Sequence, residues 1–177
     1  QVNDHRAMLC VSTDDMLLLT KDREEYLRLL THLRRFFDLT TSEGPKIHYL
    51  NLRIVQSTYG FSLDQTDYIR TGLNKYFTGT TDVAFRSGPF PTKPDFEIEL
   101  FQSLPLDPKA HKLYIKEHNG SLGHWNGYMM HAMVWSRPDL GFAVVRLSGY
   151  TSAPTPAAYV ALRHMMEYLY HHPHMPI

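Results

Sequence analysis

Two adjacent aspartates, Asp14 and Asp15, stand between two short apolar runs, 7–12 (Ala-Met-Leu-Cys-Val-Ser) and 16–20 (Met-Leu-Leu-Leu-Thr). Aspartate is poor in strands and favoured in turns, so this pattern predicts a β-hairpin with both acids at its tip. Two carboxylates held close at such a tip suit a hard divalent cation. Mg²⁺ takes oxygen ligands and is commonly bound through one or two carboxylates plus substrate phosphates. That arrangement serves two-metal phosphoryl transfer. An Asp-Asp pair can also be a solvated turn with no further role. The apolar strands on both sides favour the functional reading, because they would set two charges at the end of a buried hairpin.

The chain beyond the hairpin alternates strand and helix signals. Thr20 can cap a helix whose first turn carries Asp22, Glu24 and Glu25. Tyr26, Leu29, Leu30, Leu33 and Phe36 repeat at helical spacing, and the helix is expected to end near Asp38. Residues 47–56 and 59–63 read as strands, with a turn at Ser57-Thr58-Tyr59-Gly60. Gln65 to Phe77 reads as a helix with Tyr68, Ile69, Leu73, Tyr76 and Phe77 on its apolar side. Residues 78–112 show no periodicity and carry Pro89, Pro91, Pro94, Pro105 and Pro108, which suggests a linker or long loop. From 113 onward three helical pieces are expected, broken near Ser136-Arg137-Pro138 and Ala153-Pro154-Thr155-Pro156, with Pro138 and Pro156 in first turns. The fold class is α+β, and the divisions expected are 1–64, 65–112 and 113–177.

Composition narrows the class. With 43% hydrophobic residues in 177, the chain can bury a core. A single cysteine, Cys10, precludes an internal disulfide and fits a reducing, intracellular compartment. No apolar run is long enough to span a bilayer, so no membrane partner is expected. The start Gln1-Val2-Asn3 has no Met and no signal-peptide pattern, which suggests a piece of a longer polypeptide. Eighteen basic residues balance eighteen acidic ones, and residues 21–80 hold nine Lys/Arg against seven Asp/Glu. Charge therefore gives no global basic signature of nucleic-acid binding and leaves local patches open.

Six segments in order resemble the reverse transcriptases of copia-type retrotransposons. Leu9-Cys10-Val11-Ser12-Thr13-Asp14-Asp15-Met16-Leu17-Leu18 resembles the family's Tyr-Val-Asp-Asp box. Tyr49-Leu50-Asn51-Leu52-Arg53-Ile54 resembles its Phe-Leu-Gly-Ile-Glu-Ile, and Ser62 through Ile69 its Leu-Ser-Gln-x-x-Tyr-Ile. Gly120-Ser121-Leu122, Ser136 through Val144, and Ala161 through Leu169 resemble its Gly-Ser-Leu, its Thr-Arg-Pro-Asp-Ile-Ala-Tyr-Ala-Val and the Lys-Arg-Ile-Leu-Arg-Tyr-Leu before the ribonuclease H domain.

The resemblance implies a partial palm with two hairpins, followed by a helical thumb and connection. It makes Asp14 and Asp15 two of three catalytic carboxylates that hold Mg²⁺. It makes the hairpin around His48, Tyr49, Leu50 and Asn51 the primer grip, and it makes Gln65 and Tyr68 thumb residues facing nucleic acid. The implied partners are an RNA/DNA template–primer, deoxynucleotides, fingers and palm encoded upstream, and a ribonuclease H domain downstream of the same polyprotein. The implied compartment is a cytoplasmic virus-like particle or the nucleus. Two residues depart from the pattern: Ser12 stands for the family's Tyr and Asn51 for its Gly. Asn tolerates the left-handed backbone better than most residues. The alternative is a non-catalytic nucleic-acid-binding piece or a decayed copy of the element.

Other candidates rest on the residues alone. His171-His172-Pro173-His174 offers imidazoles for a transition metal, though a chain end rarely supplies fixed geometry. His48 and His118 read as ordinary surface or half-buried histidines, and Arg137 as one half of a structural ion pair with Asp139 or another acid. The Tyr, Phe and Leu repeats read as core.

Overall fold

A computed structural model describes residues 7–175 and has an α+β architecture of two compact units, 1–62 and 63–177.

In the first unit, strand β1 (Met8–Ser12) pairs antiparallel with β2 (Asp15–Leu19). The register runs from Met8 opposite Leu19 to Ser12 opposite Asp15, which leaves Thr13-Asp14 as a two-residue turn. Thr13 takes the left-handed backbone, φ 50°. Directly opposed residues share a sheet face, so Leu9, Leu18, Val11 and Met16 lie on one side and Met8, Leu19, Cys10 and Leu17 on the other. Both faces are apolar, the pattern of a strand pair covered on both sides. Yet Met8 is 62% exposed and Val11 59%.

Helix α1 (Arg23–Leu33) starts later than the sequence suggested and ends five residues before Asp38. Asp22 is the cap, accepting from the Glu24 amide at 2.8 Å, and the Thr20 hydroxyl accepts instead from the Asp22 amide at 3.1 Å. The carboxylate out-competes the hydroxyl for the helix entrance, and the acids Glu24 and Glu25 sit favourably at the positive end of the dipole. No residue of α1 is buried, and Phe36 and Phe37 beyond it are exposed.

The segment 47–56, which reads as one strand in the sequence, is folded on itself. β3 (Lys46–Tyr49) and β4 (Leu52–Ser57) pair with His48 opposite Arg53 and Tyr49 opposite Leu52. Leu50 and Asn51 form the turn at φ 50° and 63°, the positive pair that a tight type I′ hairpin requires. The bulky Leu50 conceals this turn, since it carries none of the usual turn chemistry. β5 (Gly60–Asp64) completes the sheet in the order β3-β4-β5. Leu52 and Ile54 are the buried apolar residues described in this unit.

The second unit holds the core. Helix α2 (Thr66–Tyr76) buries Ile69, Leu73 and Tyr76, the side its periodicity indicated. Residues 78–112 are not a free linker. They contain α3 (Phe96–Gln102), and Phe90, Phe96 and Leu100 enter the same cluster as the later helices. The Leu106 amide donates to the Pro154 carbonyl at 2.8 Å, tying the stretch down again. Prolines break periodicity but do not prevent apolar side chains from packing, so a stretch without a periodic signature still enters the core.

Four α-helices follow where three pieces were expected. α4 (Pro108–Glu117) ends at His118, and Ser121 caps α5 (Leu122–Trp135) after a break at Asn119-Gly120. Pro138 opens a 3₁₀ turn that leads into α6 (Gly141–Ser148), and Pro156 opens α7 (Pro156–His171). Both prolines sit in first turns, where a missing N–H costs nothing. α7 is the central element: Ala158, Tyr159, Ala161, Leu162, Met165, Met166 and Leu169 are fully buried.

Candidate nucleic-acid and metal site

Asp14 and Asp15 are both exposed at the tip of the first hairpin, Asp14 in the turn and Asp15 at the head of β2. Ser12 pairs directly with Asp15. The two carboxylates are hard oxygen donors of the right kind for Mg²⁺. Among the described residues, however, no three or more His, Cys, Asp or Glu side chains come together as a metal group. The donor set therefore fits the ion in kind and supplies only part of its coordination.

The second hairpin lies beside the first, with β2 next to β3. His48 and Asn51 are exposed, while Tyr49 and Leu50 are half-buried. The tight turn pushes the backbone of Leu50 and Asn51 to the hairpin's end. Within one unit, then, the structure brings together the two hairpins that the sequence singled out.

Gln65 and Tyr68 belong to the second unit and are poorly placed to meet a ligand. Gln65 is 2% exposed and its Oε1 accepts from the Ser136 hydroxyl at 2.9 Å. Its Nε2 is buried without a hydrogen-bond partner. Tyr68 is half-buried and stacked on Tyr128. Gln65 precedes α2 with its side chain turned inward, and the half-buried Tyr68 ring packs on Tyr128.

The histidines scatter. His171 Nε2 meets the Val83 carbonyl at 3.1 Å, His172 Nε2 the Arg86 carbonyl at 3.2 Å, and His174 Nδ1 the Thr66 hydroxyl at 3.0 Å. Each imidazole ties the chain end or the 83–88 stretch down separately. His118, expected at the surface or half-buried, is 5% exposed and hydrogen-bonds the Tyr76 hydroxyl at 2.6 Å. It lies against the Tyr159 ring at 4.9 Å, and burial lowers its pKa.

Arg137 forms the ion pair that the sequence suggested. It is 0% exposed and grips Asp139 with two hydrogen bonds, 2.9 and 2.7 Å, while its third donor reaches the His172 carbonyl at 2.6 Å. Tyr168 donates to the same carboxylate at 2.9 Å. Burial pushes Asp139 up, but the Arg137 hydrogen bonds and charge, with the Tyr168 bond, outweigh it and hold the carboxyl below its usual range. Arg137 and Tyr168 are buried in this network, while the Asp139 side chain keeps 20% of its surface.

Compared with known protein families, curated proteins and solved structures, the chain matches none of them. No described helix is long and apolar enough to cross a membrane.

Proposed function

We propose that this chain is part of the RNA-directed DNA polymerase of a copia-type retrotransposon, carrying an edge of the palm, the primer grip and the helical thumb and connection. The observation that supports the reading most is the turn at Leu50-Asn51. The related family has glycine at the position of Asn51, a residue suited to positive φ. Here the backbone turns through the left-handed region at that same position, φ 63°, in a hairpin beside the one that bears Asp14 and Asp15.

In this reading Asp14 and Asp15 hold Mg²⁺ together with a third carboxylate supplied by an upstream strand. The ion, when bound, supplies charge neutralisation at the phosphates and an activated primer hydroxyl. The hairpin of His48, Tyr49, Leu50 and Asn51 positions the primer end through its backbone. Positioning of this kind accounts for a large share of catalysis in phosphoryl transfer.

The test is primer extension by the chain joined to an upstream palm and fingers of the same polyprotein. Asp14→Asn is expected to abolish most Mg²⁺-dependent extension, because it removes a charge that holds the metals. Equal extension by Asp14→Asn and the unaltered protein would reduce Asp14-Asp15 to a turn. A second reading, a nucleic-acid-binding piece or decayed copy without catalysis, is favoured by Ser12 in place of the family's aromatic residue. Ser12→Tyr is expected to raise extension in the first case and to leave it absent in the second.

A further inference from the structure

The fold segregates charge sharply on α4. Its inner side carries His111, Tyr114 and Ile115 and leads to buried His118, with the Tyr114 ring 5.0 Å from that of Tyr159. On the opposite side stand Lys109, Lys112 and Lys116, all exposed. At 3.6 residues per turn these three fall within an arc of about 60°, on the side away from the core. Leu113, 64% exposed, lies beside them. Among the described residues none of the three ammonium groups is in an ion pair, whereas Lys93 pairs with Glu99. The acids closest to the stripe in sequence are Asp107 and Glu117. The Asp107 carboxylate accepts from the Lys109 and Ala110 amides as the helix cap, and Glu117 sits at the stripe's edge.

We infer that this face of α4 tracks the phosphate backbone of a nucleic-acid duplex. The choice of partner rests on the polymerase reading above, and the surface itself rests on the lysines. From Lys109 to Lys116 the helix rises about 10 Å, which matches about three phosphate-to-phosphate steps along one strand at about 3.4 Å of axial rise each. Lysine acts here as a point charge toward phosphate, without the fork that would read a base edge. An anionic membrane surface fits less well, because such a helix lays a broad apolar face into the lipid and α4 turns its apolar face into the core. The surface replaces Gln65 and Tyr68 as the duplex-facing side of this unit. Sequence alone hides it, because Lys109 and Lys112 follow a run of prolines in which helical spacing carries no signal.

The full chain is titrated with a fluorescent RNA–DNA duplex over a salt series, and log K is plotted against log salt. The K109Q/K112Q/K116Q variant is expected to give a slope shallower by about 2.7, at about 0.9 for each phosphate no longer neutralised. K112Q alone is expected to make it shallower by about 0.9, and K109R/K112R/K116R to keep the original slope. If the triple glutamine variant binds with the unaltered slope, the surface is wrong while the polymerase reading stands. If the unaltered chain does not bind the duplex even at the lowest salt, both fall.

Discussion

Tyr68 and Tyr128 clasp each other. Their rings stack 4.1 Å apart at 7° between planes, the Tyr68 hydroxyl donates to the Tyr128 carbonyl at 3.2 Å, and the Tyr128 hydroxyl donates to the Tyr68 carbonyl. The clasp joins α2 to α5, and burial pushes the Tyr128 phenol up to about 12. It depends on Gly72, whose missing side chain leaves room for the Tyr128 ring.

Gly72→Ala is therefore expected to destabilise the helical unit. A methyl at Gly72 would run into the Tyr128 ring. The overpacking cost of about 1–3 kcal/mol exceeds the gain of about 1 kcal/mol that alanine brings to a helix interior. Thermal unfolding should show a Tm lowered by several degrees. A raised Tm would mean that the ring is not where the clasp puts it.

Arg137 makes a sharper case. Arg137→Ala strands the partly buried Asp139 carboxylate with Tyr168 as its remaining side-chain donor. Breaking a buried pair in this way costs about 3–5 kcal/mol. Urea unfolding should show the loss, and the double change Arg137→Ala with Asp139→Asn should recover part of it. Asp139 has a depressed folded pKa, so its contribution is present above the unfolded carboxylate value and fades as pH falls through the folded one. The unaltered protein should accordingly lose more stability than the double variant on acidification below about pH 4.

His118 carries a different pH window. Burial lowers its folded pKa, so the unfolded chain binds a proton that the folded chain refuses. Stability from this group is complete above the unfolded value of about 6.5 and is lost as pH falls toward the folded one, at up to 1.4 kcal/mol for each pH unit between them. His164, also lowered by burial, acts in the same direction. Melting curves between pH 7.5 and pH 5, taken as roughly the histidine range, should show a falling Tm. His118→Gln should flatten that fall; an unchanged pH profile would remove His118 from the account.

At the second hairpin, Asn51→Gly should be tolerated and Asn51→Val should not. A β-branched residue at φ 63° costs about 1–2 kcal/mol of strain, which glycine avoids. Amide hydrogen exchange at Leu52, opposite Tyr49 in the hydrogen-bonded pair that closes the turn, is the direct measure. Equal protection in both variants would show that the turn does not need the left-handed backbone.

Local chemistry is legible wherever a few neighbouring residues decide the outcome. The acids between two apolar runs announce the first hairpin, the period of Ile69, Leu73 and Tyr76 announces α2, and Pro138 and Pro156 mark first turns. Arg137 reads as half of an ion pair with Asp139 or another acid, and Asp139, two residues on, is the one it grips. What lies beyond reach depends on partners distant in the chain. Asp22 and Thr20 compete for one helix entrance, and only their geometry decides between them. Gln65 looks available until Ser136, far along the chain, takes its side chain into the core. Phe90, Phe96 and Leu100 look like loop residues because their burial is set by the later helices, not by their own spacing. The lysines of α4 become a stripe only because Pro108 opens a helix rather than excluding one. Sequence by itself determined the turns and helix periods, whose energies are local. Tertiary packing alone decided which polar side chains stayed at the surface, because desolvation is a property of the assembled neighbourhood and not of the residue.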